Sequence, residues 1–321
     1  MDFLPIYTKY IEAELSALNL PTTPQSLYEP ISYFLKIGGK RIRPILTLLG
    51  AEMFGLKKEQ AIHAAIAIEL LHNFSLVHDD IMDKAPLRRG QETVHQKWNL
   101  NVAILSGDAI FIKAYEHLQQ QEGDLREILK TFNQAAIEIC EGQQMDMDFE
   151  SQEDISIDDY IQMIRLKTSV LLGCALEMAA IIAGCDEQDR KHCYDFGVNI
   201  GLSFQIQDDI LDLYGDPEKF GKQIGGDVIE NKKTILYLLA KKHANNKQLI
   251  ELHSIKNELD NIRKIERTKI LFETLNVKQL AEDVANNYFN NALAHLHQIQ
   301  VNIENKLHLS QLSNFLLNRN H

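Results

Sequence analysis

Two short acidic patterns carry the chemistry that this 321-residue sequence can offer. Asp79-Asp80-Ile81-Met82-Asp83 and Asp208-Asp209-Ile210-Leu211-Asp212 both read Asp-Asp-x-x-Asp, and both sit in apolar, helix-patterned sequence. On a helix, residues four apart share a face, and the second Asp lies close beside the first. Each pattern therefore projects three carboxylates from one patch, where they repel one another unless something cationic sits there. Hard oxygen donors suit magnesium, which keeps waters and is typically shared with substrate phosphates. The expected metal ligands are Asp79, Asp80, Asp83, Asp208, Asp209 and Asp212, holding more than one Mg2+ ion. One such pattern alone could be a solvated acidic face. Two in apolar surroundings argue against that, because ionised groups buried without partners are costly.

Basic residues stand close by. Gly38-Gly39-Lys40-Arg41-Ile42-Arg43-Pro44 is a turn followed by three cations. Pro44 suits the first position of a helix, so that Lys40 and Arg43 flank a helix N-terminus, where anions bind. Arg88-Arg89-Gly90 follows the first acidic pattern, and two adjacent guanidiniums can clamp two diphosphates. Lys167-Thr168 lies in mid-helix among apolar residues, so Lys167 needs a partner. Lys222 lies in a glycine-rich loop, Phe220 to Asp227, that Lys232, Lys233 and Thr234 close. Such loops let backbone and Lys approach phosphate closely.

The elements that must position these groups read as helices. Leu48, Leu49, Met53 and Phe54, and again Ile66, Leu70 and Phe74, recur at helical spacing. Ser156 and Asp159 form a capping-box pattern opening a helix that stops near Gly184, and another helix runs from about Glu187 to Tyr214. Val170 to Ile182 is apolar all round, as befits the centre of a bundle. No sustained two-residue alternation argues for a sheet. With seven prolines, sixteen glycines and no low-complexity linker, residues 1–321 are expected to form one large all-α domain.

Composition narrows the partners. A net charge of −12 argues against nucleic acid, which needs Lys and Arg clustered on one face. Cys140, Cys174, Cys185 and Cys193 show no C-x-x-C spacing, and no His partners stand at zinc-ligand spacing. Reduced thiols in the cytoplasm are the expectation. Met1 to Leu20 carries Asp2, Glu12 and Glu14 and reads as neither signal peptide nor membrane span. No other uninterrupted apolar run is long enough to span a membrane.

Taken together, Gly38 to Pro44, Leu70 to Gly90, Gly142-Gln143-Gln144-Met145-Asp146, Lys167-Thr168, Phe204 to Asp212 and Gly221 to Thr234 resemble the trans-prenyltransferase family of farnesyl, geranylgeranyl and longer polyprenyl diphosphate synthases. The resemblance implies a helical bundle of the isoprenoid synthase type with a central active-site cavity, a homodimer, and Mg2+-dependent condensation of isopentenyl diphosphate with an allylic diphosphate. It places Asp79, Asp80, Asp83 and Asp208 at the metal, with Asp209 and Asp212 beside it. Arg88, Lys167 and Lys222 correspond to residues holding the allylic diphosphate, and Lys40, Arg43, His72 and Arg89 to those holding isopentenyl diphosphate. Gln205, Thr168, Gln143, Asp146 and Lys232 match further active-site positions. The first motif lacks the longer insertion of many bacterial farnesyl synthases, and beyond Ile235 the likeness is helical character only.

Product length is expected to depend on Phe74, five residues before Asp79 and about 7.5 Å back along the helix. Leu71 and Leu70 share its face, Ala67 lies one turn beyond Leu71, and Ser75 is its small neighbour. In the family, one aromatic here with a small neighbour goes with the twenty-carbon product, geranylgeranyl diphosphate. Farnesyl diphosphate is the second choice and longer polyprenyl products a third. A terpene cyclase and a non-catalytic helical subunit are the rivals; the first has no use for a second diphosphate site, and the second could lose either acidic motif.

Overall fold

Side-chain caps at Asn99, Asp124, Ser156, Asp186, Asn245 and Asp260 open six helices of the computed structural model, which describes residues 2–215 and 224–317. The first half of the chain forms α1 (Leu4–Ser16), α2 (Gln25–Lys36), α3 (Ile42–Met53), α4 (Ile62–Met82), the short α5 (Val94–Lys97), α6 (Leu100–Leu118) and α7 (Leu125–Ser151). The second half forms α8 (Ile157–Ile164), α9 (Val170–Ile182), α10 (Glu187–Tyr214), α11 (Gly226–Ile229), α12 (Ile235–His243), α13 (Asn246–Lys256), α14 (Asn261–Thr274), α15 (Val277–Gln298) and α16 (Leu307–Leu317). The only sheet among the described residues is a hairpin pairing Leu87 with Glu92 and Arg88 with Gln91. Its two loop residues, Arg89 and Gly90, have φ of 52° and 77°, the handedness that two-residue hairpins favour.

The expected capping box is present. The Ser156 hydroxyl accepts from Asp159 N at 3.1 Å, and the Asp159 carboxylate accepts from Ser156 N at 3.0 Å. The expected stop is present too, at Gly184 with φ of 73°. Between them the helix is not continuous α: Arg165–Ser169 is a π-turn joining α8 to α9. Asp186 caps α10, accepting from Asp189 N at 2.8 Å, and α10 ends at Tyr214 as expected. Pro44 departs from expectation, since α3 starts at Ile42 and Pro44 is its third residue. The first turn tolerates it because those N–H groups have no intrahelical partner.

The α9 helix is the bundle's centre, buried from Val170 to Leu176 and again from Met178 to Ile181. Glu177 is its one charged residue. Two apolar clusters meet along α10. Cys193, Phe196 and Ile200 face a large cluster built with α1, α3, α4, α6, α7 and α9. Val198, Leu202, Ile206 and Ile210 face a smaller one built with α8 and α12 to α15. The second acidic motif lies further along α10, with its Ile210 in the smaller cluster. The segment Lys58–Met82 has the length and apolarity of a membrane span, yet 67% of its most apolar window is buried within this protein, as a core helix requires.

Candidate active site

The first motif ends α4. Asp80 is buried, and Arg88 from the hairpin reaches it with Nε at 2.9 Å from both carboxylate oxygens and Nη2 at 2.7 Å from Oδ1. The hairpin that carries Arg88 and Arg89 is pinned at its base. Tyr33 donates to the Glu92 carbonyl at 2.8 Å, and Thr93 donates to the Ala85 carbonyl at 2.8 Å. Burial raises the Asp80 pKa even against Arg88. Asp79 has no such close partner, and burial pushes it up to about 6, with Lys167 and Arg88 opposing and Asp83 and Asp80 adding to the rise.

Lys167 sits in the π-turn, where its ammonium lies 2.6 Å from Asp146 Oδ2 of α7. Glycine makes that approach possible. A Cβ on Gly142 would run into the Lys167 backbone, and one on Gly201 of α10 would lie 2.6 Å from Ser169 Cα. The π-turn is therefore clamped between α7 and α10. The same turn aims the Thr168 hydroxyl at Gln205 Oε1, 3.3 Å away. Gln143, next to Gly142, is 5% exposed, and neither its amide nitrogen nor its oxygen has a protein partner. A buried carboxamide of this kind calls for a bound polar group or water.

A second set of polar groups gathers from α3, α4 and the hairpin. Arg43 Nη1 lies 3.1 Å from His72 Nε2. Burial is the main force holding the His72 pKa well below its ordinary value, and Arg43, Arg89, Arg88 and Arg41 reinforce it. The ring is thus neutral and accepts from Arg43. Burial lowers the Arg43 pKa to about 10, Arg89 pulling the same way while Glu69 and Asp208 oppose. The Arg89 guanidinium packs on Gly39, where an added Cβ would meet Nη1 at 2.8 Å. Lys40 follows Gly39 and is exposed.

Beneath this set lies a network that sequence reasoning missed. Arg41 is buried, with Nη1 2.6 Å from Glu69 Oε1 and Nη2 donating to the Leu35 carbonyl at 2.9 Å. Asn73 donates to the same Glu69 oxygen at 3.2 Å. The signal was available: Glu69 is the lone acid in the apolar run from Ile62 to Leu71, and a buried carboxylate needs a cation.

The second motif divides its labour. One Asp209 oxygen accepts from the Tyr160 hydroxyl and, at 3.4 Å, from Ile235 N, while the other accepts from Gln205 Nε2 at 3.3 Å. Burial, then the charge of Asp227, pushes Asp209 up to about 8. Protein donors thus engage both oxygens of Asp209, one of the six expected metal ligands. Asp80 is similarly committed to Arg88. Asp79 and Asp83 of the first motif, and Asp208 and Asp212 of the second, are the i, i+4 pairs. Asp212 also organises the start of α11, its carbonyl accepting from Gly225 N at 2.7 Å and its carboxylate from Asp227 N at 3.1 Å. Lys232 lies 3.6 Å from Asp227 and 3.1 Å from Glu230. Lys222 lies outside the described residues.

Among the described residues no three acids already stand in ligand geometry, but their donor chemistry suits magnesium. The outer carboxylates are hard oxygen donors, and burial, the main cause of the raised Asp79 pKa, makes a bound cation favourable there. Cations from α3, the hairpin and the π-turn adjoin them, with the neutral His72 of α4 among them, which is the environment a diphosphate requires.

A geranylgeranyl pyrophosphate synthase of Geoglobus acetivorans is 38% identical over 98% of this chain and 97% of its own length. A short chain isoprenyl diphosphate synthase of Methanocaldococcus jannaschii is 43% identical over 73% of each. A crystal structure of a geranylgeranyl pyrophosphate synthase superposes with a TM-score of 0.94 at 44% identity, covering 99% of both chains. The sequence profile of the polyprenyl synthetase family matches residues 24–272, and this chain belongs to that family.

Proposed function

We propose that this protein condenses isopentenyl diphosphate head-to-tail with an allylic diphosphate, releasing inorganic diphosphate and giving mainly geranylgeranyl diphosphate. The observation that carries the reading is that two separate sets of cations adjoin one pair of acidic motifs. Arg88 and Lys167, each seated on an Asp, suit the diphosphate that leaves. Arg43, His72 and Arg89, backed by the Arg41–Glu69 pair, suit the one that stays. A terpene cyclase needs only the first set, and a helical scaffold needs neither.

Mg2+ bound to Asp79, Asp83, Asp208 and Asp212 would supply Lewis-acid neutralisation of the departing diphosphate. Arg88 and Lys167 share that charge as it develops, with Lys222 expected beside them. Thr168 and Gln205 offer uncharged dipoles to the allylic cation, which do not trap it covalently. Lys40, Arg43, His72 and Arg89 hold the second substrate so that its double bond meets the cation. The departing diphosphate takes the proton lost after carbon–carbon bonding. Phe74, with the small Ser75 beside it, stops the growing tail near twenty carbons, and relatives bearing the geranylgeranyl synthase name favour the same length. Four unpaired thiols suit a reducing compartment such as the cytoplasm.

The test is release of inorganic diphosphate, with product mass, on mixing the protein with Mg2+, an allylic diphosphate and isopentenyl diphosphate. Release should need both substrates. Release from the allylic substrate alone would indicate the cyclase, and none at all the scaffold. Asp79→Ala and Asp208→Ala should each cost on the order of 10²–10³-fold in turnover with helix content unchanged. Near-normal rates at saturating Mg2+ would refute the metal assignment.

A further inference from the structure

Two histidines meet where α10 packs on α15, well away from the diphosphate groups. His192 Nδ1 lies 3.1 Å from His295 Nδ1, with the ring planes at 46°. Asp195 stands three residues along α10, on the same face as His192. Its Oδ2 comes within 3.9 Å of the His295 Nδ1. Buried neighbours fix both backbones here: Cys193 and Phe196 on α10, Ala292 and Leu296 on α15. The side chains of His295 and Asp195 are 31% and 29% exposed, so a solvated ion can reach them. Thirteen residues of α10, about 20 Å of helix, separate Asp195 from Asp208. The condensation proposed above makes no use of this cluster.

A hydrogen bond between the rings would use one proton and leave Asp195, at 3.9 Å, too far to accept from His295. A metal ion would use all three groups. Two imidazole nitrogens on one Zn2+, each at about 2.05 Å, stand about 3.3 Å apart in a tetrahedron. The two rings already have nearly that separation. A carboxylate oxygen on the same ion needs a similar spacing, so Asp195 must close by about 0.6 Å. No three His, Cys, Asp or Glu side chains among the described residues already enclose an ion. Here two nitrogens are in place and the third donor is a small side-chain rotation short. A second pair, His63 and His117, has its Nδ1 atoms 3.3 Å apart across α4 and α6. That pair lacks the acid: the only His–carboxylate pairs among the described residues are His78 with Asp108 and His295 with Asp195.

We propose that His192, His295 and Asp195 bind a divalent transition-metal ion, Zn2+ by preference, which ties α10 to α15. Imidazole nitrogens with one carboxylate suit zinc, whereas magnesium prefers oxygen ligands alone. Water completes the coordination on the exposed side. The ion joins residues 103 apart in the chain and lies far from either diphosphate, so its effect falls on unfolding.

Calorimetric titration with Zn2+ tests this, carried out in excess Mg2+ so that the acidic motifs are occupied, together with thermal unfolding with and without Zn2+. The parent should take up one Zn2+ per chain under these conditions and unfold at a higher temperature with it bound. His192→Ala, His295→Ala and Asp195→Asn should each weaken uptake by about tenfold or more and lose the rise in unfolding temperature. His117→Ala should keep both. His295→Gln retains the side-chain bulk and serves where His295→Ala does not fold. A parent that takes up no Zn2+ overturns the proposal whatever the variants do. Uptake that survives in both His192 and His295 variants overturns it as well, and its loss in Asp79→Ala would then place the ion at the acidic motifs.

Discussion

Arg88 and Lys167 come to the site already seated on carboxylates, at 2.7 Å from Asp80 and 2.6 Å from Asp146, whereas Arg89 packs on a glycine. A seated cation is held at a fixed position by its acid, so each of these residues should act on one substrate only. Arg89→Ala should raise KM for isopentenyl diphosphate about tenfold or more with little change for the allylic substrate, since a charged hydrogen bond is worth roughly 1.5–3 kcal/mol. Lys167→Ala should instead lower kcat and weaken the allylic substrate. Steady-state kinetics varying each substrate in turn checks this, and equal effects of both changes on both substrates would undo the two-site reading. The identities of these residues were legible in the sequence because charge beside an acidic motif is a strong local signal. Their partners were less so. That Asp209 turns to Tyr160 depends on where α8 packs, and that Glu69 meets Arg41 depends on how α3 crosses α4. Spacing along the chain contains neither.

At the scale of elements, the π-turn is the unit that positions Lys167 and Thr168, and it holds its shape because α7 and α10 close on it at Gly142 and Gly201. Gly142→Ala should therefore force α7 away from the turn, lowering stability by about 1–3 kcal/mol and reducing turnover further than the stability loss explains. Thermal unfolding and kinetics on the same preparation separate the two effects. The capping box at Ser156, the stop at Gly184 and the whole of α10 were readable from sequence, because caps and glycine stops are local. The π-turn was not, since one extra residue in a turn changes no apolar period enough to notice. Glu177 gives α9 a pH dependence. Burial raises its pKa from 4.5 to about 7, with Glu127 and Asp195 adding to the rise and Lys130 and Arg190 opposing. The folded state then holds a proton that the unfolded chain has released, so protonation stabilises fully below pH 4.5, and that stabilisation is lost as pH rises through 7. Glu177→Gln should equal the parent near pH 4 and exceed it by roughly 1–3 kcal/mol at pH 8, as urea unfolding at the two values will show. A parent at least as stable as the variant at pH 8 would contradict this.

For the whole molecule, the exposed apolar side chains of α6 need a partner. Ile104, Leu105 and Ile112 are 40%, 60% and 58% exposed, and Ile137 on the neighbouring α7 is 53% exposed. Tyr115 donates to Asn133 Oδ1 at 2.5 Å, a register that puts Ile112 and Ile137 at adjacent levels of the two helices. Contiguous apolar surface of this kind marks an association site, and a homodimer across α6 would cover it. The homodimer that the family resemblance implies should sediment as a dimer, and Ile112→Glu as a monomer; a parent that sediments as a monomer would rule that expectation out. The overall helical architecture was legible in the sequence, but this face was not singled out, because apolar periodicity does not distinguish a core from an interface. The anchoring of Asp209 also sets an order of events. Its partners lie 49 residues earlier, at Tyr160, and 26 residues later, at Ile235. A growing chain that ends before Ile235 already holds every residue of both acidic motifs, yet lacks one of the groups that fix the second in place. Contacts this far apart form after the local helices, once the intervening loops have closed. Competence to hold two diphosphates is therefore a late acquisition in the life of the chain, and a ribosome-bound fragment should show native helix content well before it shows any affinity for an allylic diphosphate.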